Sequence, residues 1–197
     1  GRLAYHNAHT YGPDGYMGAG NYNAKHNHNL FLRLVRQCID ENRNSPAVRH
    51  HNSVYGGKFP IWVIIDYFSL GMISHFYADL PNRDKSYIAQ NMYSVNYQLL
   101  MGWFRCLTDL RNRCAHYSRL YNWNFSAVPG ISKGDSFIAD HSLFSQIYLL
   151  KLMYPYPDRW NDIFVKPLDK IMKKHKNDID MLHIGFPYRW KSILSRK

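Results

Sequence analysis

Cysteines and long apolar runs are both scarce in this 197-residue sequence. The three cysteines, Cys38, Cys106 and Cys114, are an odd number, and none stands in a Cys-x-x-Cys pair. Such a set predicts neither a disulfide framework nor a cysteine-based zinc site, and it is typical of a protein in the reducing cytoplasm. The longest purely apolar run, Ile61–Ile65, is far shorter than the roughly 20 residues of a membrane-spanning helix. We therefore expect a cytoplasmic protein with no membrane partner.

Acidic residues are also few, and several catalytic signatures are missing. Asp and Glu number 14 against 25 Lys and Arg, which gives a formal net charge of +11 before any of the eleven histidines is protonated. This excess favours polyanionic partners, nucleic acid first, although solubility alone is an alternative explanation. The sequence has no Gly-x-Ser-x-Gly motif, no cysteine–histidine signature and no phosphate-binding Walker motif. These absences disfavour serine and cysteine hydrolases and nucleotide hydrolases.

Alternating runs of β-branched residues are missing as well, so the sequence predicts an all-α fold, a bundle of about five or six helices in a single domain over residues 1–197. The apolar spacing predicts helices over these segments: from Leu30 to a stop at Asn44-Ser45-Pro46, Ile61–Ala78, Lys85–Met92, Val95–Tyr121, Ser142–Tyr154, Trp160–Lys176 with a kink at Pro167, and a short one near Trp190. The intervening segments are predicted to be a turn-rich stretch over Tyr5–Asn29, a polar loop over Arg49–Gly57 and a loop over Asn122–Gly134.

The predicted helix Val95–Tyr121 has two distinct faces. One is apolar and is formed by Trp103, Leu107, Leu110, Cys114, Tyr117 and Tyr121. The opposite face is polar and is formed by Arg105, Asp109, Asn112, His116 and Arg119. A solvated helix surface is the ordinary explanation of such a face. Here, however, a single acid stands between cations, and a histidine lies between an amide and an arginine. Histidine exchanges protons near neutral pH, and arginine matches phosphate oxygens.

These residues carry a family resemblance. The run Leu110–Trp123, LRNRCAHYSRLYNW, resembles bacterial abortive-infection proteins of the AbiD/AbiF type, and Arg111–His116 within it fits the Arg-[polar]-x-x-x-His signature of HEPN ribonucleases. Other motifs agree in order along the chain: Tyr11-Gly12-Pro13-x-Gly15-Tyr16, Arg49-His50-His51, Tyr55-Gly56-Gly57, Pro60-Ile61-Trp62 and Gly185-Phe186-Pro187-x-x-Trp190. The resemblance implies a HEPN-like helical domain that lacks the usual N-terminal segment of the family.

The function that the resemblance implies is metal-independent cleavage of RNA by a toxin-like effector of phage defence, with no cofactor. His116 is expected to transfer protons, Arg111 to hold the scissile phosphate, and Asn112 to orient His116 or to contact the phosphate. The 2′-hydroxyl of the RNA is the expected nucleophile. Positions 111 and 116 lie about 140° apart on a regular helix, so the two side chains converge only if the long arginine wraps around, the helix is distorted or a second copy contributes. HEPN ribonucleases typically dimerise, and the resemblance therefore implies a twofold homodimer in which two motifs line one cleft.

Further expectations concern binding. The cationic candidates for RNA contact are Arg105, Arg113, Arg119, His50, His51 and Lys58. An RNA or protein antitoxin is a possible additional partner. No metal site is expected, because the histidines occur only in pairs such as His50-His51. Two alternatives stay open at this point: a non-catalytic RNA-binding module, and a protein-interaction scaffold in which Arg111 and His116 have structural roles.

Overall fold

The computed structural model describes residues 1–131 and 137–195, and these residues are helical or irregular, with no β-strand among them. The all-α prediction is therefore confirmed. The chain divides into two compact units, Gly1–Tyr97 and Gln98–Lys197. No helix in the described ranges is both long and apolar enough to cross a membrane.

The α-helices outnumber the predicted five or six, because two predicted helices are broken and two further helices, those over Arg2–Tyr11 and Pro46–Val54, were not predicted. In the first unit they are α1 (Arg2–Tyr11), α2 (His28–Glu41), α3 (Pro46–Val54), α4 (Ile61–Ile64), α5 (Leu70–Asp79) and α6 (Asn82–Tyr93). The others are α7 (Tyr97–Ala115), α8 (Leu143–Met153), α9 (Pro157–Trp160), α10 (Lys166–Lys174) and α11 (Trp190–Ser195).

Helix α1 was not predicted, because Tyr5–Asn29 was expected to be rich in turns. A buried carboxylate on α6 holds it in place. Asp84 is 2% exposed, the His6 ring lies 3.1 Å from one of its oxygens, and the Tyr11 hydroxyl donates to the other at 2.5 Å. Burial, together with this hydrogen bond, raises the pKa of Tyr11 above its ordinary value. The predicted turn after Tyr11 is confirmed, with Gly12 at a φ of +83°.

The predicted polar loop over Arg49–Gly57 is wrong for most of its length, because helix α3 continues to Val54. The Ser45-Pro46 pair, which was interpreted as a stop signal, begins this helix. The Ser45 hydroxyl accepts a hydrogen bond from the Val48 backbone N–H, and Pro46 stands in the first turn, where its missing N–H costs nothing. Val48 is fully buried, while the polar residues that follow face solvent or are half-buried.

The predicted helix Ile61–Ala78 is two helices. Helix α4 passes into a short 3₁₀ turn, and the chain is extended at Phe68, with φ −72° and ψ 134°. The Ser69 hydroxyl then accepts from the Met72 N–H and starts α5. The serine cap therefore outweighs the continuous apolar pattern. Ile61 and Ile64 are fully buried, but Trp62 between them is 54% exposed.

The second unit is built on an aromatic core. Its buried members include Phe144, Tyr148, Trp160, Phe186 and Trp190. The predicted helix over Ser142–Tyr154 is confirmed as α8, and the Ser142 hydroxyl caps it. The predicted helix Trp160–Lys176 contains a π-helical turn over residues 161–165 between α9 and α10, just before Pro167. The predicted loop after Asn122 is non-helical up to residue 131, and its last part, 132–134, lies outside the described residues.

Candidate functional site

Helix α7 carries the candidate catalytic residues, and its apolar face anchors it in the second unit. Trp103, Cys106 and Leu110 are buried, and the Trp103 indole N–H donates to the Gly130 carbonyl at 2.7 Å. The predicted apolar stripe is confirmed as far as Leu110. Beyond that residue it is wrong for Cys114 and Tyr117, which are exposed, whereas Tyr121 is half-buried and packs against the aromatic core of the second unit.

The predicted continuation of this helix to Tyr121 is also wrong, since α7 ends at Ala115 in a Schellman motif. The Ser118 N–H donates to the Arg113 carbonyl at 2.9 Å, and the Tyr117 N–H donates to the Cys114 carbonyl at 3.2 Å. Tyr117 has a φ of +51°, the left-handed conformation that this motif requires and that glycine usually supplies. The chain consequently leaves the helix axis immediately after His116.

The three candidate catalytic residues lie in the last two turns of α7 and immediately after it. Arg111, Asn112 and His116 are all exposed, and the Arg111 guanidinium donates to the Asn112 side-chain oxygen at 3.1 Å. The His116 backbone N–H still donates to the Asn112 carbonyl at 3.0 Å, so the backbone between them remains helical. Positions 111 and 116 therefore keep their offset of about 140° around the axis. In the described part of the chain, the His116 ring has no hydrogen-bond partner. Within the same residues, neither Arg111 nor His116 forms an ion pair with a carboxylate.

The other cations of this region have different surroundings. Arg113 is half-buried, its guanidinium lies 3.2 Å from the centre of the Trp123 ring, and it donates to the Arg119 carbonyl at 3.3 Å. These contacts hold the segment after the helix against α7. The side chains of Arg105 and Arg119 are exposed. Asp109, the single acid of the predicted polar face, accepts hydrogen bonds from the backbone and hydroxyl of Ser126.

The electrostatics at the end of α7 favour a basic surface. The last carbonyl groups of a helix carry a partial negative charge, which stabilises nearby cations. Arg111, Arg113 and His116 lie in this position, and Arg119 follows closely in sequence. The Cys106 thiol on this helix is a poor nucleophile, because burial raises its pKa to about 11, a direction that Asp109 reinforces and Arg105 opposes.

The remaining candidates for RNA contact lie in the first unit, at the end of α3. His50 and Lys58 are exposed and His51 is half-buried. The His51 Nδ1 atom lies 2.8 Å from the Lys58 carbonyl oxygen. Because a carbonyl can only accept, Nδ1 carries the proton and Nε2 is the free nitrogen of the neutral ring. These three residues share a groove of about 670 Å³ with Tyr55 and Trp62.

Sequence reasoning missed two polar clusters in the first unit. One is the Asp84 cluster already described, whose members lie more than seventy residues apart. In the other, Asp79 lies 2.9 Å from Nδ1 of His26, and Nε2 of His26 lies 3.2 Å from Nδ1 of His28. Only His26-x-His28 is visible as a local pattern. No group of three or more potential metal ligands occurs within residues 1–131 and 137–195.

Neither the curated proteins nor the solved structures contain a match. One family model, described as Abi-like protein, matches residues 1–122, a range that includes α1 to α7, Arg111 and His116. Since this match covers more than half of the sequence, the chain belongs to the Abi-like protein family.

Proposed function

We propose that this protein is a metal-independent endoribonuclease with a HEPN domain of the AbiD/AbiF type, acting as a toxin-like effector of abortive infection against bacteriophage. Membership of the Abi-like family suggests the defence role. The observation that carries the enzymatic proposal is the exposure of Arg111, Asn112 and His116 together at the end of α7, with no carboxylate partner in the described chain. Because neither group forms an ion pair with a carboxylate in the described chain, the Arg111 guanidinium and the His116 imidazole are available to bind a phosphodiester.

The residue types match each step of RNA cleavage. The ribose 2′-oxygen attacks phosphorus, and the His116 imidazole accepts the proton that this hydroxyl loses. The bond from phosphorus to the 5′-oxygen breaks, and an imidazolium returns a proton to that oxygen. Arg111 binds the non-bridging oxygens, on which negative charge increases. The hydrogen bond from Arg111 to Asn112 fixes the orientation of the guanidinium. The products are a 2′,3′-cyclic phosphate and a 5′-hydroxyl.

The offset between Arg111 and His116 supports a two-chain site. Because the backbone is helical from Asn112 to His116, the two side chains leave α7 on different sides. A second copy of the chain, related by a twofold axis, brings the arginine of one copy to the histidine of the other. The dimer then contains two equivalent sites, each with the arginine of one chain and the histidine of the other, and the single imidazole of a site takes up and returns the proton. The proposed active form is therefore a homodimer that needs no metal or cofactor, silenced in the resting cell by an RNA or protein antitoxin.

The test is cleavage of labelled single-stranded RNA in the presence of EDTA. The parent should cut the RNA, and a substrate with 2′-deoxyribose throughout should remain intact. His116→Ala should lower the rate by about 10²- to 10⁴-fold, and Arg111→Ala by about 10²- to 10³-fold. Asn112→Ala should have a smaller effect, because it only orients its neighbours. The controls are His175→Ala and Arg159→Ala, which alter exposed residues of the same unit far along the chain from the motif.

The outcomes separate the candidate functions. Cleavage by both motif variants at the parental rate contradicts the catalytic roles of Arg111 and His116. A parent that binds RNA without cutting it supports a non-catalytic RNA-binding module instead. RNA affinity that is absent at every salt concentration supports a protein-interaction scaffold, because binding through phosphate contacts weakens steeply as salt rises.

A further inference from the structure

An exposed tryptophan stands at the start of helix α4 among buried neighbours. Trp62 is 54% exposed, whereas Phe59 and Ile61 are 3% and 0% exposed. The backbone here is fixed, because the Ile61 N–H donates to the Pro13 carbonyl at 2.9 Å and Pro60 precedes the helix. The indole is therefore held at the surface by a rigid support. An aromatic ring that a fold exposes on a rigid support loses little conformational entropy when a ligand covers it.

A second exposed aromatic ring shares the groove with Trp62. Tyr55 is 53% exposed, and its ring is flanked by the rings of His50 and His51, at centroid distances of 5.4 and 5.0 Å. The Tyr55 N–H donates to the His51 carbonyl at 3.1 Å and ends α3. Gly56 and Gly57 follow with φ of +59° and +76°, which makes the tight turn that leads to Lys58. The contacts with His50 and His51 thus fix the position of the Tyr55 ring at the groove.

One lysine, two histidines and one acid line the groove around these rings. Lys58 and His50 are exposed at the groove, and Lys58 has no carboxylate within ion-pair distance in the described chain. His51 is fixed by its hydrogen bond to the Lys58 carbonyl. Asp14 is the acid among the residues that line the groove.

Trp62 also borders a second depression of about 390 Å³. Tyr5, which is 71% exposed, and His9 line this depression as well.

From these features we infer that the groove between Tyr55 and Trp62 is a binding site for single-stranded RNA, in which unpaired bases stack on the two rings and the backbone phosphates meet Lys58 and His50. Sequence-tolerant single-strand binding combines aromatic platforms with cations in this way. A duplex keeps its bases stacked on each other and offers no free base face to the rings. The ligand class rests on the proposed function, but the site is separate in sequence from Arg111 and His116.

The test measures binding without cleavage. The probe is a fluorescein-labelled 2′-O-methyl RNA of mixed unpaired sequence and about twelve nucleotides, within the usual range of single-strand site sizes. Its blocked 2′-oxygens cannot attack phosphorus. Trp62→Ala and Tyr55→Ala should each weaken binding by about 5- to 150-fold, the loss expected for one stacked base. Trp62→Phe should retain most of the affinity. Lys58→Ala should lower the dependence of binding on salt concentration by roughly one phosphate contact.

Tyr87→Ala is the matched control, because Tyr87 is 57% exposed in the same unit but does not border the groove. It should bind the probe with parental affinity, and thermal unfolding of each variant checks that the fold is retained. Parental affinity in both Trp62→Ala and Tyr55→Ala overturns the inference, as does equal binding of the matching duplex. If the groove binds the probe but the protein cuts no RNA, the result contradicts only the proposed function. If the groove variants bind the probe as the parent does but the parent cuts RNA, the result contradicts only the inference.

Discussion

At the scale of single residues, the candidate site depends on how α7 ends. Tyr117 occupies the left-handed position of the Schellman motif, and its side chain is almost completely exposed. A residue with a Cβ atom pays a steric cost in this conformation, and Tyr117 makes no buried contact that offsets it. Arg113, by contrast, is held between Trp123 and the Arg119 carbonyl. The segment that follows His116 is therefore secured by Arg113 and strained at Tyr117.

Tyr117→Gly should stabilise the protein. Glycine adopts a φ of +51° without the clash between Cβ and the following carbonyl, and the loss of an exposed ring removes little packing. We expect the free energy of unfolding, measured by urea denaturation, to rise by about 1 kcal/mol. Tyr188→Gly is the control, since Tyr188 is equally exposed but has no positive φ. A control variant that gains as much stability as Tyr117→Gly would contradict the steric argument.

At the scale of helices, the sequence predicts what short-range chemistry determines. The apolar spacing identifies α2, α6 and α8, and Ser142 is visible as the residue before α8. The predicted helix bounds are wrong where a serine N-cap competes with the apolar or polar pattern of the surrounding residues. Ser69 divides the apolar run Ile61–Ala78, and Ser45 starts a helix in a polar segment. The end of α7 is not predictable from composition, because a tyrosine occupies the position where glycine would signal a stop.

Gly185 is the glycine that the packing of the second unit requires. It has a φ of +70°, and a Cβ atom added to it would lie 2.1 Å from the Ser142 Cβ at the start of α8. Gly185→Ala combines backbone strain with this overlap, so we expect the free energy of unfolding to fall by more than about 2 kcal/mol. The measurement is the shift of the denaturation midpoint.

The control for Gly185→Ala is the same substitution inside α7. Gly102 lies in the helix interior, and an added Cβ would meet nothing within 4 Å. Gly102→Ala should raise the free energy of unfolding by up to about 1 kcal/mol, because alanine has the higher helix propensity. Equal destabilisation by both substitutions would show that the contact with Ser142 is not what Gly185 provides.

At the scale of the whole molecule, the sequence indicates which residues are chemically suited but not which of them meet. The exposure of Arg105, Asn112 and His116 agrees with the polar face that the sequence predicts for this part of the chain. The meeting of His6 and Tyr11 with Asp84 has no local signal, since it depends on how α1 packs on α6. The single-domain assignment stays a prediction, and each compact unit carries one cluster of candidate RNA-binding residues. The convergence of Arg111 with His116 depends on a second chain, and a single sequence carries no direct record of that contact.

Mixing two inactive variants tests this two-chain site. If Arg111 of one copy acts with His116 of the other, a dimer of Arg111→Ala with His116→Ala contains one site in which both residues are intact. With random exchange half of the dimers are mixed and each has one active site, so the mixture should regain about a quarter of the parental cleavage rate. Arg111→Ala mixed with the double variant should stay inactive, because no pairing restores a site. Sedimentation must show that mixed dimers form. An inactive mixture that contains them would place Arg111 and His116 in the same chain's site, and the helical offset would then have to be overcome by the arginine side chain alone.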